Sequence, residues 1–143
     1  MVLCDVSVLL QASAPKARHH ARCRAALLEL TSAQEPFAVS ELILAAVVRL
    51  ATNPRIFQPP ATPSSAFRFA EALLAHPRCV PLSPGARHWR IFKDLVLNAD
   101  ILGSDTTDAY LAALAMEHGC MWWTTDSDFG RFEGLRWRNL LVG

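Results

Sequence analysis

Residues 37–54 read FAVSELILAAVVRLATNP, and this stretch decides the fold class. Phe37, Ala38 and Val39 make a continuous apolar run with no polar alternation, the mark of a short strand buried on both faces. Ser40 is a good N-cap for the helix-like segment that begins at Glu41, and Asn53-Pro54 would end it. A strand too apolar to have a wet face, followed at once by a helix, belongs to a parallel sheet packed between helices.

The same alternation continues in both directions. Val2-Leu3-Cys4 reads as a buried strand and 15–30 as a helix, with Ala21, Ala25, Leu27 and Leu28 set against basic residues. Beyond residue 54 the pattern predicts a helix over 63–76, a strand over 79–82 and a helix over 84–97. Ser104 is placed to cap a helix over 105–118 that Gly119 closes, and a strand over 120–124 and a last short one within 135–140 follow. The expectation is an α/β protein, a three-layer α/β/α arrangement with a mainly parallel central sheet. There is no internal repeat, and the Pro-dense segment 54–63 is too short to divide two cores, so residues 1–143 are read as one domain.

Composition agrees. The chain has 143 residues, 52% hydrophobic and 19% charged, which is enough apolar material for a core that needs no disulfide or structural metal. Cys4, Cys23, Cys79 and Cys120 form no Cys-x-x-Cys pair, so they read as small buried hydrophobes in a reducing compartment rather than as a zinc site. A net charge of +1 excludes a protein that coats nucleic acid by charge alone, and leaves local patches. The first residues superficially suggest an export signal, but they lack a basic leader and Asp5 interrupts the apolar run. The longest apolar stretch, 42–48, is far too short to span a bilayer. A soluble, cytoplasmic protein with no membrane contact is expected.

Four acids are placed alike in this scheme. Asp5 follows the first strand, Glu41 opens the helix after the second, Asp108 lies in the first turn of a later helix, and Asp126 follows the fourth strand. Strand C-termini and the following helix N-termini share one rim of a parallel sheet, the rim where ligands bind. Carboxylates gathered there repel, and a hard divalent cation such as Mg²⁺ or Mn²⁺ relieves the repulsion. Ser7 and Thr125 offer hydroxyls that orient a carboxylate or water, and Asp128 supplies a second acid in the Asp126 loop, with the choice between the two left open. Asp105 is the weakest candidate, because an acid just after a cap is explained by the helix dipole.

These residues resemble a known family. Asp5 with Ser7, Ser40-Glu41 leading into a helix that ends in 51–57 (ATNPRIF), residues 107–119 (TDAYLAALAMEHG) and residues 124–137 (TTDSDFGRFEGLRW) together look like the PIN-domain ribonucleases, specifically the VapC-type toxins of bacterial toxin–antitoxin pairs. The similarity runs along essentially the whole chain in the correct order. Two positions depart: Ser7 stands where the family often has Asn, and Trp122-Trp123 fill a strand usually built from smaller residues. The resemblance implies a Mg²⁺-dependent (or Mn²⁺-dependent) endoribonuclease that cuts cellular RNA, slows growth and is neutralised by a cognate VapB-type antitoxin. It implies Asp5 and Asp108 as metal ligands, Asp126 as completing the set and Glu41 as helping to hold a metal or its water.

An RNA substrate also needs cations, for which Lys16, Arg18, Arg22, Arg55 and Arg131 are candidates, with Arg49 a further arginine outside the first basic cluster. The apolar early helices, including 45–48, exceed what one small core hides, so a homodimer and an antitoxin groove are expected. A ribonuclease-H-like nuclease would open with an antiparallel meander instead of a strand and helix. The remaining alternative is a catalytically silent binding module that keeps the acids as caps and turns.

Overall fold

A computed structural model describes residues 1–142. In chain order it contains β1 (Val2–Cys4), α1 (Val6–Ser13), α2 (His20–Ser32), β2 (Phe37–Val39), α3 (Glu41–Ala51), α4 (Pro63–Leu74), β3 (Cys79–Pro81), α5 (His88–Asn98), α6 (Thr106–Glu117), β4 (Met121–Thr124) and β5 (Trp137–Asn139). The strands form one sheet in the order β3-β2-β1-β4-β5, and every pairing is parallel.

This order places the helices. From β1 the chain steps to β2 and then β3 through α1–α4, and it returns across β1 to β4 through α5 and α6. Right-handed crossovers in opposite directions along one sheet put the two helix sets on opposite faces, giving the three-layer α/β/α arrangement. The direction reverses between β1 and β4, so the crevice at that point opens at the C-terminal ends of those strands.

The segment quoted above folds as it reads. Phe37, Ala38 and Val39 are all buried, and α3 buries Ile43, Leu44, Val47 and Ala51. Ser40 holds the N-cap position with extended backbone, although its hydroxyl makes no capping bond. In the fourth strand, Trp122 is fully buried and packs on Phe129 with ring centroids 5.3 Å apart, so the large residues are absorbed into the core. Cys4, Cys23 and Cys120 are buried and Cys79 half-buried, all as free thiols. Among the described residues no helix is long and apolar enough to cross a membrane.

Three expectations need correction. The first helix begins at Val6, immediately after Asp5, and the predicted helix over 15–30 starts only at His20. The run from Val6 onward is apolar enough for a strand, but Val8, Leu9 and Ala12 recur at helical spacing and are the buried positions. Ser104 is not the cap of α6: residues Gly103–Asp105 form a 3-10 turn and Asp105 takes the N-cap position. The predicted strand over 79–82 ends at Pro81, whose missing N–H is tolerated because β3 is at the sheet edge.

Candidate active site

Asp5 leaves β1 at the reversal point of the sheet. Its backbone N–H donates to the Trp123 carbonyl at 2.8 Å, continuing the register in which Cys4 faces Trp123, so Thr124 stands beside it on the next strand. Thr124 Oγ1 donates to Asp5 Oδ2 at 2.7 Å and accepts from the Asp126 N–H at 3.0 Å. Ser7 Oγ donates to the same Asp5 oxygen at 3.4 Å and accepts from the Thr125 N–H at 3.4 Å. The side-chain hydroxyl beside Asp5 is therefore Thr124's, and the expected Thr125 contributes its backbone. Strand register decides this choice, and sequence spacing alone does not carry it.

Asp5 is only 8% exposed and makes no ion pair among the described residues. Burial pushes its carboxyl up to about 6; the Thr124 hydrogen bond opposes that rise and the nearby Asp108 charge adds to it. Asp108, in the first turn of α6, shares a cavity of about 440 Å³ with Asp5. Its carboxyl is also raised, by burial first, against the pull of Arg131 and with the push of Asp126, Asp105 and Asp128. Asp108 thus lies within electrostatic reach of Asp5 on one side and of Asp126, Asp105 and Asp128 on the other.

The Asp126 loop caps itself. The Asp128 N–H donates to Asp126 Oδ1 at 2.9 Å, opening the short 3-10 turn Ser127–Arg131. Asp126 and Asp128 are both exposed, and Asp126 is the one tied to the Asp5 network, through its backbone N–H on Thr124.

Glu41 is placed elsewhere. The α3 flank toward the Asp5 cavity carries Leu42, Ala46 and Arg49, whereas Glu41 lines a separate cleft against α4 with Val48, Phe67 and Glu71. At roughly 100° per residue, a helix that turns 42, 46 and 49 to one cleft turns 41 and 48 away from it. The shared rim does bring Glu41 to the correct end of the sheet, but on the wrong side of α3.

The basic candidates separate in the same way. Arg131 reaches the acids: Nη2 lies 3.2 Å from Asp108 Oδ2 and Nη1 lies 3.5 Å from Asp105 Oδ2. Arg49 lines the Asp5 cavity, is exposed and has no ion pair among the described residues. Lys16 lines another cavity with Phe57 at the far ends of α1 and α3, and Arg18, Arg22 and Arg55 are exposed outside the Asp5 cavity.

This arrangement, an acid buried at the switch point of a parallel sheet with further acids from α6 and the β4 loop, has counterparts. The PIN domain family matches residues 2–135. The chain belongs to the PIN domain family.

Its relatives within that family are close. Ribonuclease VapC43 of Mycobacterium tuberculosis is 41% identical over 143 residues, covering 100% of this chain and 97% of its own. Ribonuclease VapC25 of the same species is 41% identical over 136 residues, covering 95% of this chain and 96% of its own. Among solved structures, VapBC2 from Rickettsia felis bound to a DNA fragment from their promoter gives a TM-score of 0.71 at 15% identity, covering 97% of this chain and 98% of that one. Mycobacterium tuberculosis VapC20, described as a Sarcin-Ricin loop cleaving toxin, gives 0.64 at 17% identity over 91% of this PIN domain and 93% of its own chain. Both share the fold.

Whether the acids suit a metal is decided by their chemistry and spacing. All are oxygen donors, and two have carboxyls raised by burial and mutual repulsion. Each of Asp5 and Asp126 commits one named oxygen to hydrogen bonds and leaves the other without a side-chain partner among the described residues. No three His, Cys, Asp or Glu among the described residues are grouped closely enough to hold one ion between them. That combination fits Mg²⁺ or Mn²⁺ held by one or two carboxylates with water filling the shell, and does not fit an all-protein cage.

Proposed function

We propose that this PIN domain is a metal-dependent endoribonuclease, the toxin of a VapBC-type pair. The observation that carries the reading is the buried Asp5 carboxylate sharing one cavity with Asp108, in a chain 41% identical along its whole length to proteins named as VapC ribonucleases.

In this reading Asp5 and Asp108 would hold the cation, with Asp126 in the loop after β4 supporting them and Glu41, which lines the cleft against α4, given no part in it. A divalent cation supplies Lewis-acid stabilisation of phosphoryl charge and lowers the pKa of a bound water. The chain's own contribution is positional. Thr124 and Ser7 fix Asp5 through one oxygen, Oδ2, and Thr124 sets the start of the Asp126 loop. Leu42, Ala46 and Leu111 line one side of the cavity with apolar side chains, and Arg49 offers a guanidinium to a backbone phosphate.

The partners proposed are an RNA substrate, a VapB-type antitoxin and a second copy of the chain. Exposed Leu42 and Phe67 on α3 and α4 support an apolar contact surface on these helices. The test is cleavage of total cellular RNA by the purified chain with Mg²⁺ or Mn²⁺ and with chelator. Discrete metal-dependent cuts are expected; a folded, antitoxin-free protein that cuts nothing under any metal is a binding module instead.

A further inference from the structure

Arg131 is bound in an unsettled way. Its guanidinium is shared between two carboxylates, one terminal nitrogen to each, at 3.2 Å and 3.5 Å. Strong charge-assisted N–H···O bonds run about 2.7–2.9 Å and favour the two-pronged fork on a single carboxylate, and neither condition is met here. The third nitrogen, Nε, is buried and has no hydrogen-bond partner among the described residues. The side chain is 29% exposed, and the guanidinium carbon lies 5.1 Å from the Phe132 ring centroid. A part-exposed pair of this kind contributes little to stability, and the orphaned Nε offsets that gain. Little therefore holds Arg131 against the acids except the absence of a better cation.

Asp108 is where such a cation would arrive. It shares the Asp5 cavity, and its Oδ2 is the atom that Arg131 touches. A divalent ion and a guanidinium cannot both sit on that oxygen at contact distance without strong repulsion. Arg131 lines the neighbouring cavity against α5 and meets the Asp5 cavity through Asp108; a guanidinium released from that oxygen has three nitrogens free to donate, and backbone phosphate is the natural acceptor.

Resting on the metal-dependent ribonuclease reading, we propose that Arg131 is an exchangeable counter-cation: it neutralises Asp108 and Asp105 in the metal-free protein and transfers to an RNA phosphate when a divalent cation takes Asp108. The metal and the substrate then bind cooperatively through one side chain. Arg131 is an RNA-contacting residue only in the metal-loaded protein.

The experiment uses the full chain, Mn²⁺ and a single-stranded 2′-O-methyl oligonucleotide verified intact after each run. Free Mn²⁺ is followed by electron paramagnetic resonance in wild type, R131Q and R131K without nucleic acid. R131Q is expected to bind Mn²⁺ roughly tenfold tighter, the scale on which removing a unit charge from a partly solvated site acts, and R131K to stay near wild type. Oligonucleotide affinity is then measured with Mn²⁺ and with chelator. Wild type gains affinity on adding Mn²⁺, and R131Q loses most of that gain together with about one unit of the salt slope seen with metal.

Equal or weaker Mn²⁺ binding by R131Q overturns the proposal, because Arg131 would then be a scaffold that holds Asp108 in place. The same Arg131 dependence with and without Mn²⁺ also overturns it. If wild type binds no Mn²⁺, the metal assignment falls and the exchange falls with it. If wild type binds Mn²⁺ but cuts no RNA, the ribonuclease reading fails alone and the R131Q titration still decides the exchange.

Discussion

Thr124 Oγ1 lies 2.7 Å from Asp5 Oδ2, a hydrogen bond between residues 119 positions apart in sequence. It is buried, and the same hydroxyl accepts the Asp126 N–H, so one threonine sets both the acid at the end of β1 and the start of the loop after β4. Thr124→Val removes a donor from a buried carboxylate while keeping shape. A loss of about 1.5–3 kcal/mol in urea unfolding near neutral pH is expected, along with a fall in cleavage, and Thr124→Ser is expected to restore most of both.

In the proposed reading Asp5 serves cleavage at a cost in stability. Asp5→Asn is expected to abolish metal-dependent RNA cleavage while leaving the circular dichroism spectrum unchanged, since an amide oxygen still accepts from Thr124. At pH 7.5 the variant should also be more stable than wild type, by about 2 kcal/mol, because a buried charge is gone. Full cleavage by the variant would remove Asp5 from the mechanism.

The pH dependence follows with a definite sign. The folded carboxyl of Asp5 titrates near 6, above an unfolded value of about 3.9. The folded state therefore holds the proton more tightly: the penalty is absent below about pH 4, grows between pH 4 and 6, and is complete above. Asp108 is shifted in the same direction. The stability difference between Asp5→Asn and wild type should accordingly vanish at pH 4 and open up through pH 6. Divalent-cation affinity, measured by titration calorimetry, should decline as pH falls through the same window.

Glu41 and Asp108 separate cleanly by mutation if the cavities mean what their linings suggest. Glu41→Gln, on the α4 side of α3, should leave kcat/KM within about threefold, under 1 kcal/mol of barrier. Asp108→Asn should cost roughly a hundredfold or more, the scale of losing one group that stabilises developing charge. Equal losses in the two variants would return Glu41 to the site.

Gly130 tests the loop that carries Arg131. A Cβ there would sit 2.9 Å from Trp137 Cζ2, against a large ring at the start of β5. Gly130→Ala is expected to cost about 1–3 kcal/mol by overpacking, read from thermal unfolding.

The strands and most helices were legible because this sheet is covered on both sides, which leaves continuous apolar runs such as 37–39 and a clear helical period in 41–51. The rim position of Asp5, Asp108 and Asp126 followed from topology alone. What escaped was register and rotation. Thr124 displaced Thr125 because cross-strand neighbours depend on pairing offset, and Glu41 missed the cavity because helical phase relative to β1 is a tertiary property. The helix Val6–Ser13 was hidden by its own hydrophobicity, buried too thoroughly to show a polar face.

The pairing of β1 with β4 also sets a timetable. Asp5 is made well before Trp123 and Thr124, 119 positions separating it from Thr124, so the acid waits through that stretch of synthesis without the strand that seats it. Chains cut short before residue 121 lack the hydroxyl, the Asp126 loop and Arg131 together, and are expected to be inert and exposed to proteases. The seat of Asp5 is therefore assembled only once β4 has been made.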